Sequence, residues 1–248
     1  MCNIKIYNDD FLKFIPKIKD ETIDCIITDP PYGVNFKGAE YVDDTKEVLH
    51  NMKKWYKQWY RVLKKNCYLY VFCGVKNIQH WIEQGIKAGF EYKNIIATRS
   101  FYNGCATPKN NFAFLFQPIL VFSKGKGKPF NEINFVPTSK EWYEDKRNKN
   151  PKPYTYVYPN WINTKLSFAT EKRATRNFHP NEKSVKLIKF LIDISTKEND
   201  MVLDTFLGSG STAIACINSN RKCIGIEITK KYYEIAKDRI GLFGVDNE

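Results

Sequence analysis

The chain has 248 residues, 43% of them hydrophobic, and a formal charge of +12. That length suits one large α/β domain, or one domain with an insertion, and it can bury a substantial core. No apolar run is long enough to span a bilayer, and the surplus of Lys and Arg points to a polyanionic partner: nucleic acid, or more weakly an anionic membrane surface.

The chain runs directly into a strand pattern at residues 4–7, with no apolar core of a signal peptide before it. Asn8, Asp9 and Asp10 follow, and then a helical pattern over 11–18. Asp9 at this place can serve as an N-cap for that helix. Residues 23–28 form an apolar run that reads as a buried parallel strand, and Asp29-Pro30-Pro31-Tyr32 stands at its carboxyl end. The prolines fix φ and carry no N–H, so nearby carbonyls can face a ligand. A carboxylate, such carbonyls and an aromatic face suit a planar base with an exocyclic amine. The four residues alone read equally well as a surface turn.

In residues 45–65, Val48, Met52, Trp55, Trp59 and Val62 recur at helical spacing, which predicts a helix packed on a sheet. Strand patterns at 67–73 and 92–98 flank a helical pattern at 77–88. This alternation argues for a parallel sheet covered on both faces. Residues 112–122 read as a further strand, paired with the one before it. Seven cysteines occur without a Cys-x-x-Cys pair, and Cys25, Cys67, Cys73 and Cys223 lie in apolar strands. Such thiols act as small hydrophobes and fit a reducing cytoplasm. The three histidines are scattered, so no metal site is expected.

Regularity stops over residues 124–176. This stretch holds twelve Lys and Arg against five Asp and Glu, a net of +7, and interleaves Trp142, Tyr143, Tyr154, Tyr156, Tyr158 and Trp161. A loop-rich insertion that grips a phosphate backbone and touches bases has this composition. The candidate DNA contacts are Lys124, Lys126, Lys128, Lys140, Lys146, Arg147, Lys172, Arg173 and Arg176. The chain then divides into 1–123, carrying the amine pocket, the insertion 124–176, and 177–248, carrying a cofactor site.

In that last part, a helix over 185–192 leads to a strand at 201–203 that ends at Asp204. Thr205-Phe206-Leu207-Gly208-Ser209-Gly210-Ser211-Thr212 joins it to the next helix. Gly208 and Gly210 permit a tight turn and close approach of a ligand. The following helix offers free N–H groups to an anionic group. Glu227 ends the next strand, where a carboxylate can accept from both ribose hydroxyls. This is the nucleoside-cofactor half of a doubly wound fold. Ala213 is also compatible with a dinucleotide fingerprint, so an NAD-dependent oxidoreductase stays open at this point.

Phe206-x-Gly208-x-Gly210 together with Asp29-Pro30-Pro31-Tyr32 resembles the amino-group DNA methyltransferases. The order of tetrapeptide, basic insertion and glycine motif resembles their β-class, typified by bacterial restriction-modification and orphan adenine methylases. The likeness covers nearly the whole chain outside the insertion. It implies a Rossmann-like, doubly wound, mostly parallel seven-stranded sheet with an inserted irregular DNA-recognition region. The implied cofactor is S-adenosylmethionine, without a metal. The implied partner is duplex DNA, with room for a homodimer and for a cognate restriction endonuclease of the same system.

His179-Pro180-Asn181-Glu182-Lys183-Ser184 is similar to the family's His-Pro-Thr-Gln-Lys-Pro stretch beside the methionine portion of the cofactor, departing at Asn, Glu and Ser. Asn8-Asp9 resembles the family's Gly-Asp, whose acid reaches the cofactor's adenine amine, with Asp10 as the neighbouring rival. Gly74 matches a Phe-x-Gly strand end. By this resemblance Asp29, Pro30, Pro31 and Tyr32 are the catalytic set. Asp9, Asp29, His179, Pro180, Lys183, Asp204, Phe206, Gly208, Ser209, Gly210, Ser211, Thr212 and Glu227 bind the cofactor. Tyr32 would stack on a flipped base while Asp29 and the Pro30 carbonyl accept from its amine. Asp rather than Ser at the head of the tetrapeptide favours adenine N6, with cytosine N4 as the alternative. A DNA-binding module without cofactor affinity is the alternative of another class.

Overall fold

The computed structural model describes residues 3–33, 47–99, 116–131, 161–162 and 182–242. Its strands are β1 (Ile4–Asn8), β2 (Ile23–Thr28), β3 (Leu63–Phe72), β4 (Glu91–Arg99), β5 (Phe116–Ser123), β6 (Trp161–Ile162), β7 (Met201–Asp204) and β8 (Lys222–Glu227). They form one sheet in the order β1-β8-β7-β2-β3-β5-β4-β6. Pairing is parallel except where β5 runs against β3 and β4. The seven expected strands are all present. The two-residue β6 adds an eighth beside β4, from within the stretch that shows no period in sequence.

Helices α1 (Phe11–Phe14), α2 (Glu47–Val62), α3 (Ile78–Lys87), α4 (Val185–Ser195), α5 (Ser211–Ile217) and α6 (Lys230–Gly241) complete the described layers. One face of the sheet joins β2, β3 and β5 side chains to α2 and α3 in an aromatic core around Trp59, Trp81, Tyr56 and Phe122. The other face packs Cys25, Ile27 and Val202 against α4, α5 and α6. α2 buries the expected Val48, Met52, Trp55, Trp59 and Val62 and also Tyr56. Its apolar stripe therefore belongs to the core rather than to a membrane surface. No helix among the described residues is long and apolar enough to cross a membrane.

One expectation is corrected here. The helix expected over 11–18 is one α-turn followed by a 3-10 turn at Ile15–Lys17. Pro16 stands in that second turn, and its missing N–H removes an α-helical bond. At the start of the expected insertion, Asn131 donates from its side chain to the carbonyls of Asp193 and Thr196, and the Tyr68 hydroxyl donates to the Lys128 carbonyl at 2.6 Å. These bonds tie Lys128 to β3 and Asn131 to the end of α4.

Candidate active site

β2 and β7 are neighbours, with Cys25 opposite Val202 and Ile26 opposite Leu203. Their carboxyl ends, with Asp29 and Asp204, therefore lie side by side, where ligands collect in open α/β sheets. The buried hydroxyls of Thr28 and Thr205 meet at 3.0 Å across this junction, and Trp59 Nε1 donates to Thr205 Oγ1 at 3.1 Å. The α2 layer thus braces both strand ends.

Asp29 is held at both oxygens. The Tyr32 hydroxyl donates to Oδ1 at 2.5 Å, and the Lys183 ammonium lies 2.7 Å from Oδ2. Gln117, at the start of β5, donates its side-chain amide to the Tyr32 oxygen, while Asn77 donates to the Tyr32 carbonyl at 3.1 Å. A Cβ on Gly74 would come within 3.3 Å of the Tyr32 ring, so this glycine lets the ring lie against the end of β3. Burial, then the charge of Asp29, pushes the Tyr32 hydroxyl well above its ordinary pKa, so it stays a donor at working pH. Pro30 is buried and Pro31 half-buried.

The glycine loop is built on Asp204. This buried carboxylate accepts from the Phe206 N–H at 3.1 Å and the Thr212 hydroxyl at 2.6 Å. Gly208 and Gly210 take positive φ, 55° and 88°. They do different jobs. A Cβ at Gly208 would meet nothing within 4 Å, whereas one at Gly210 would stand 3.1 Å from the Ala236 Cβ and 3.2 Å from its Cα. Gly210 therefore lets α6 pack on the loop, and Gly208 faces open space. The Gly208 N–H donates to Glu227 Oε2, and the Thr229 N–H to Oε1, both at 2.8 Å. Two backbone donors thus fix the Glu227 carboxylate at the end of β8, where the expected ribose hydroxyls would meet it.

The remaining expected cofactor residues divide clearly. Asp10, not Asp9, caps α1 by accepting from the Leu12 N–H at 2.7 Å. Asp9 is free of that task; it accepts from the Asp10 N–H and lies 3.7 Å from Lys17. β1 pairs with β8 so that Asn8 stands opposite Glu227, which brings Asp9 to the same end of the sheet. The Phe206 ring turns into the core, 5.0 Å from Trp55. The Ser209 and Thr212 side chains bond Arg239 and Asp204, and Ser211 is buried. Lys183 is at Asp29. His179 and Pro180 lie outside the described residues, as do Lys140, Lys146, Arg147, Lys172, Arg173 and Arg176. Gln117 and Arg239 were missed from sequence. Gln117 is a lone amide at the start of an apolar strand, and Arg239 is one charge among several on α6; neither has a spacing that marks its partner.

The basic triplet splits. The buried Lys124 ammonium turns inward: it donates to the carbonyls of Tyr60 and Leu63, both at 2.9 Å, and pairs with Glu21. The Lys124 N–H bonds the Cys67 carbonyl, midway along β3. That is seven residues before Gly74, or roughly 20 Å from the amine pocket at the rise of a strand. Lys126 and Lys128 are exposed on the same distant turn. Lys124→Met is expected to lower stability in denaturant titration by about 1–3 kcal/mol, because two buried carbonyls lose their donor. The salt dependence of DNA binding should not change.

Burial raises Asp204 from 3.8 to about 7, against the lowering effect of the Thr212 and Phe206 bonds. The folded form then holds a proton that the unfolded chain releases between about pH 4 and pH 7. This contribution is complete below pH 4 and is lost as pH rises through 7. Asp204→Asn should flatten that fall, so the difference in melting temperature between variant and wild type moves in favour of Asn from pH 5 to pH 8 without added ligand.

Comparison with known proteins agrees with this geometry. A family model described as DNA methylase matches residues 23–238. The chain is 30% identical over 237 residues to the Type II methyltransferase M.HpaI of Haemophilus parainfluenzae, covering 92% of this chain and 71% of that one. It is 30% identical over 252 residues to the DNA adenine methyltransferase YhdJ of Escherichia coli (strain K12), covering 95% and 82%. The crystal structure of the M1.HpyAVI–SAM complex superposes with a TM-score of 0.65 at 27% identity, over 95% of this chain and 99% of that one. PvuII DNA methyltransferase (cytosine-N4-specific) reaches 0.71 at 19% identity, covering 100% and 88%, a likeness of fold alone. With the tetrapeptide and the glycine loop brought to adjacent strand ends, this chain belongs to the DNA methylase family and is a DNA methyltransferase.

Proposed function

We propose that the protein transfers a methyl group from S-adenosylmethionine to the N6 amine of an adenine flipped out of duplex DNA. The observation that carries this reading is the side-by-side placement of Asp29 and the Asp204–Gly210 loop at the ends of β2 and β7. When bound, the cofactor supplies an electrophilic methyl on a sulfonium. Gly208, Glu227 and Asp9 would hold its nucleoside part. A duplex hides the target amine, so the base must leave the stack to reach Asp29. Asp29 and the Pro30 carbonyl would accept from the amine hydrogens, localise the nitrogen lone pair and aim it. The carboxylate has about four acceptor directions, so the amine can join Tyr32 and Lys183 without displacing them. The face of Tyr32 turned away from Gly74 would be the one to stack on the base.

The aspartate at position 29 supports adenine over cytosine, as does the likeness to the E. coli adenine methyltransferase. The body that performs this chemistry comprises residues 1–131 and 177–248, and the segment between them would read the target sequence. The test is methylation of plasmid DNA with the purified protein, nucleoside mass spectrometry and base-resolution mapping. N6-methyladenine at a recurring sequence is the expected result. N4-methylcytosine would overturn the base assignment, and absence of any methylated base would overturn the function.

A further inference from the structure

We propose that Lys183 is a positioning residue for methyl transfer, acting through Asp29 rather than through the cofactor; this rests on the amine-pocket reading above. The family resemblance puts Lys183 with the cofactor-binding residues. The structure puts its ammonium 2.7 Å from Asp29 Oδ2, with the side chain only 13% exposed. The same ammonium lies 5.5 Å from the centre of the Phe72 ring, at the end of β3. Lys183 thus spans from the segment before α4 to the floor of the amine pocket.

Its backbone is anchored on both sides. Ser184 caps α4 by accepting from the Leu187 N–H. Glu182 pairs with Arg239 at 2.6 Å, and the Arg239 guanidinium also donates to the Ser209 carbonyl at 2.7 Å and hydroxyl at 2.9 Å. The chain of contacts therefore runs from the glycine loop through Arg239 and Glu182 to Lys183 and Asp29. With Tyr32 on Oδ1 and Lys183 on Oδ2, rotation of the Asp29 carboxylate is stopped at both oxygens. That sets the direction of its remaining lone pairs before the amine arrives.

The test uses the full chain as Lys183→Met and Lys183→Arg. S-adenosylmethionine affinity is measured by calorimetry, and single-turnover transfer to duplex DNA at saturating cofactor. Lys183→Met should slow transfer by about 10- to 100-fold, as expected when a reacting group is misaligned. Its cofactor Kd should stay within about threefold of wild type, which separates loss of alignment from loss of binding. Lys183→Arg should restore most of the rate. Weakened cofactor binding with an undiminished rate at saturation would overturn the proposal in favour of a cofactor contact. A wild-type rate in Lys183→Met would also overturn it, as would a loss that arginine does not restore. Failure of the wild-type protein itself to methylate DNA would instead overturn the underlying function.

Discussion

Asp29→Ala should reduce single-turnover methyl transfer by about 10²–10³-fold or more while S-adenosylmethionine binding persists. The magnitude is that of removing one preorganised polar group aimed at developing charge. Asp29 follows the sheet-bound Thr28, and its carboxylate is oriented by Tyr32 and Lys183. Removal takes away the acceptor for the amine and leaves the Tyr32 hydroxyl and the Lys183 ammonium without it. The glycine loop does not depend on Asp29, since Asp204, Glu227 and Arg239 hold it. Calorimetry should therefore show cofactor affinity close to wild type. Transfer of labelled methyl to DNA at the wild-type rate would sink the assignment of Asp29. Asp29→Asn is the informative companion, because the amide keeps one acceptor oxygen but loses the charge.

Val at Gly208 and Val at Gly210 should fail in different ways. Both positions hold positive φ, which costs an L-residue about 1–2 kcal/mol. At Gly208 the new side chain meets no protein atom within 4 Å. It would project into the space a cofactor must enter. Gly208→Val is therefore expected to stay folded, with a modest drop in melting temperature, and to lose measurable cofactor binding. At Gly210 the side chain would press on the backbone of α6 at Ala236. Backbone strain and overpacking there add to about 2–5 kcal/mol, so Gly210→Val should lose stability first. Unchanged cofactor binding in Gly208→Val would show that its turn only shapes the backbone.

The chain itself carried the architecture. Apolar residues alternate or recur with the period of the element they belong to, so the seven longer strands and the body of α2 are readable from local pattern. Glycines at a strand-to-helix turn and prolines after a strand announce backbone geometry directly. Asp29, Gly208, Gly210 and Glu227 were legible for that reason. Pro16 also stood in plain view, and its shortening of α1 is a local effect that the helical pattern concealed.

Only the tertiary structure decided which partner each polar side chain takes. Lys124 resembles its neighbours Lys126 and Lys128 in sequence, yet it is buried under two carbonyls because β5 runs antiparallel to β3, ends with Ser123 opposite Tyr68, and so brings the next residue within reach of Tyr60 and Leu63. Asp10 rather than Asp9 caps α1, a choice made by backbone angles that both residues could satisfy by type. Lys183 faces Asp29, Arg239 faces Ser209, and Gln117 faces Tyr32 across elements far apart in the chain. Hydrogen bonds and ion pairs act over a few ångströms and depend on direction. They are set by how the strands are ordered in the sheet, and no local period in the sequence encodes that order.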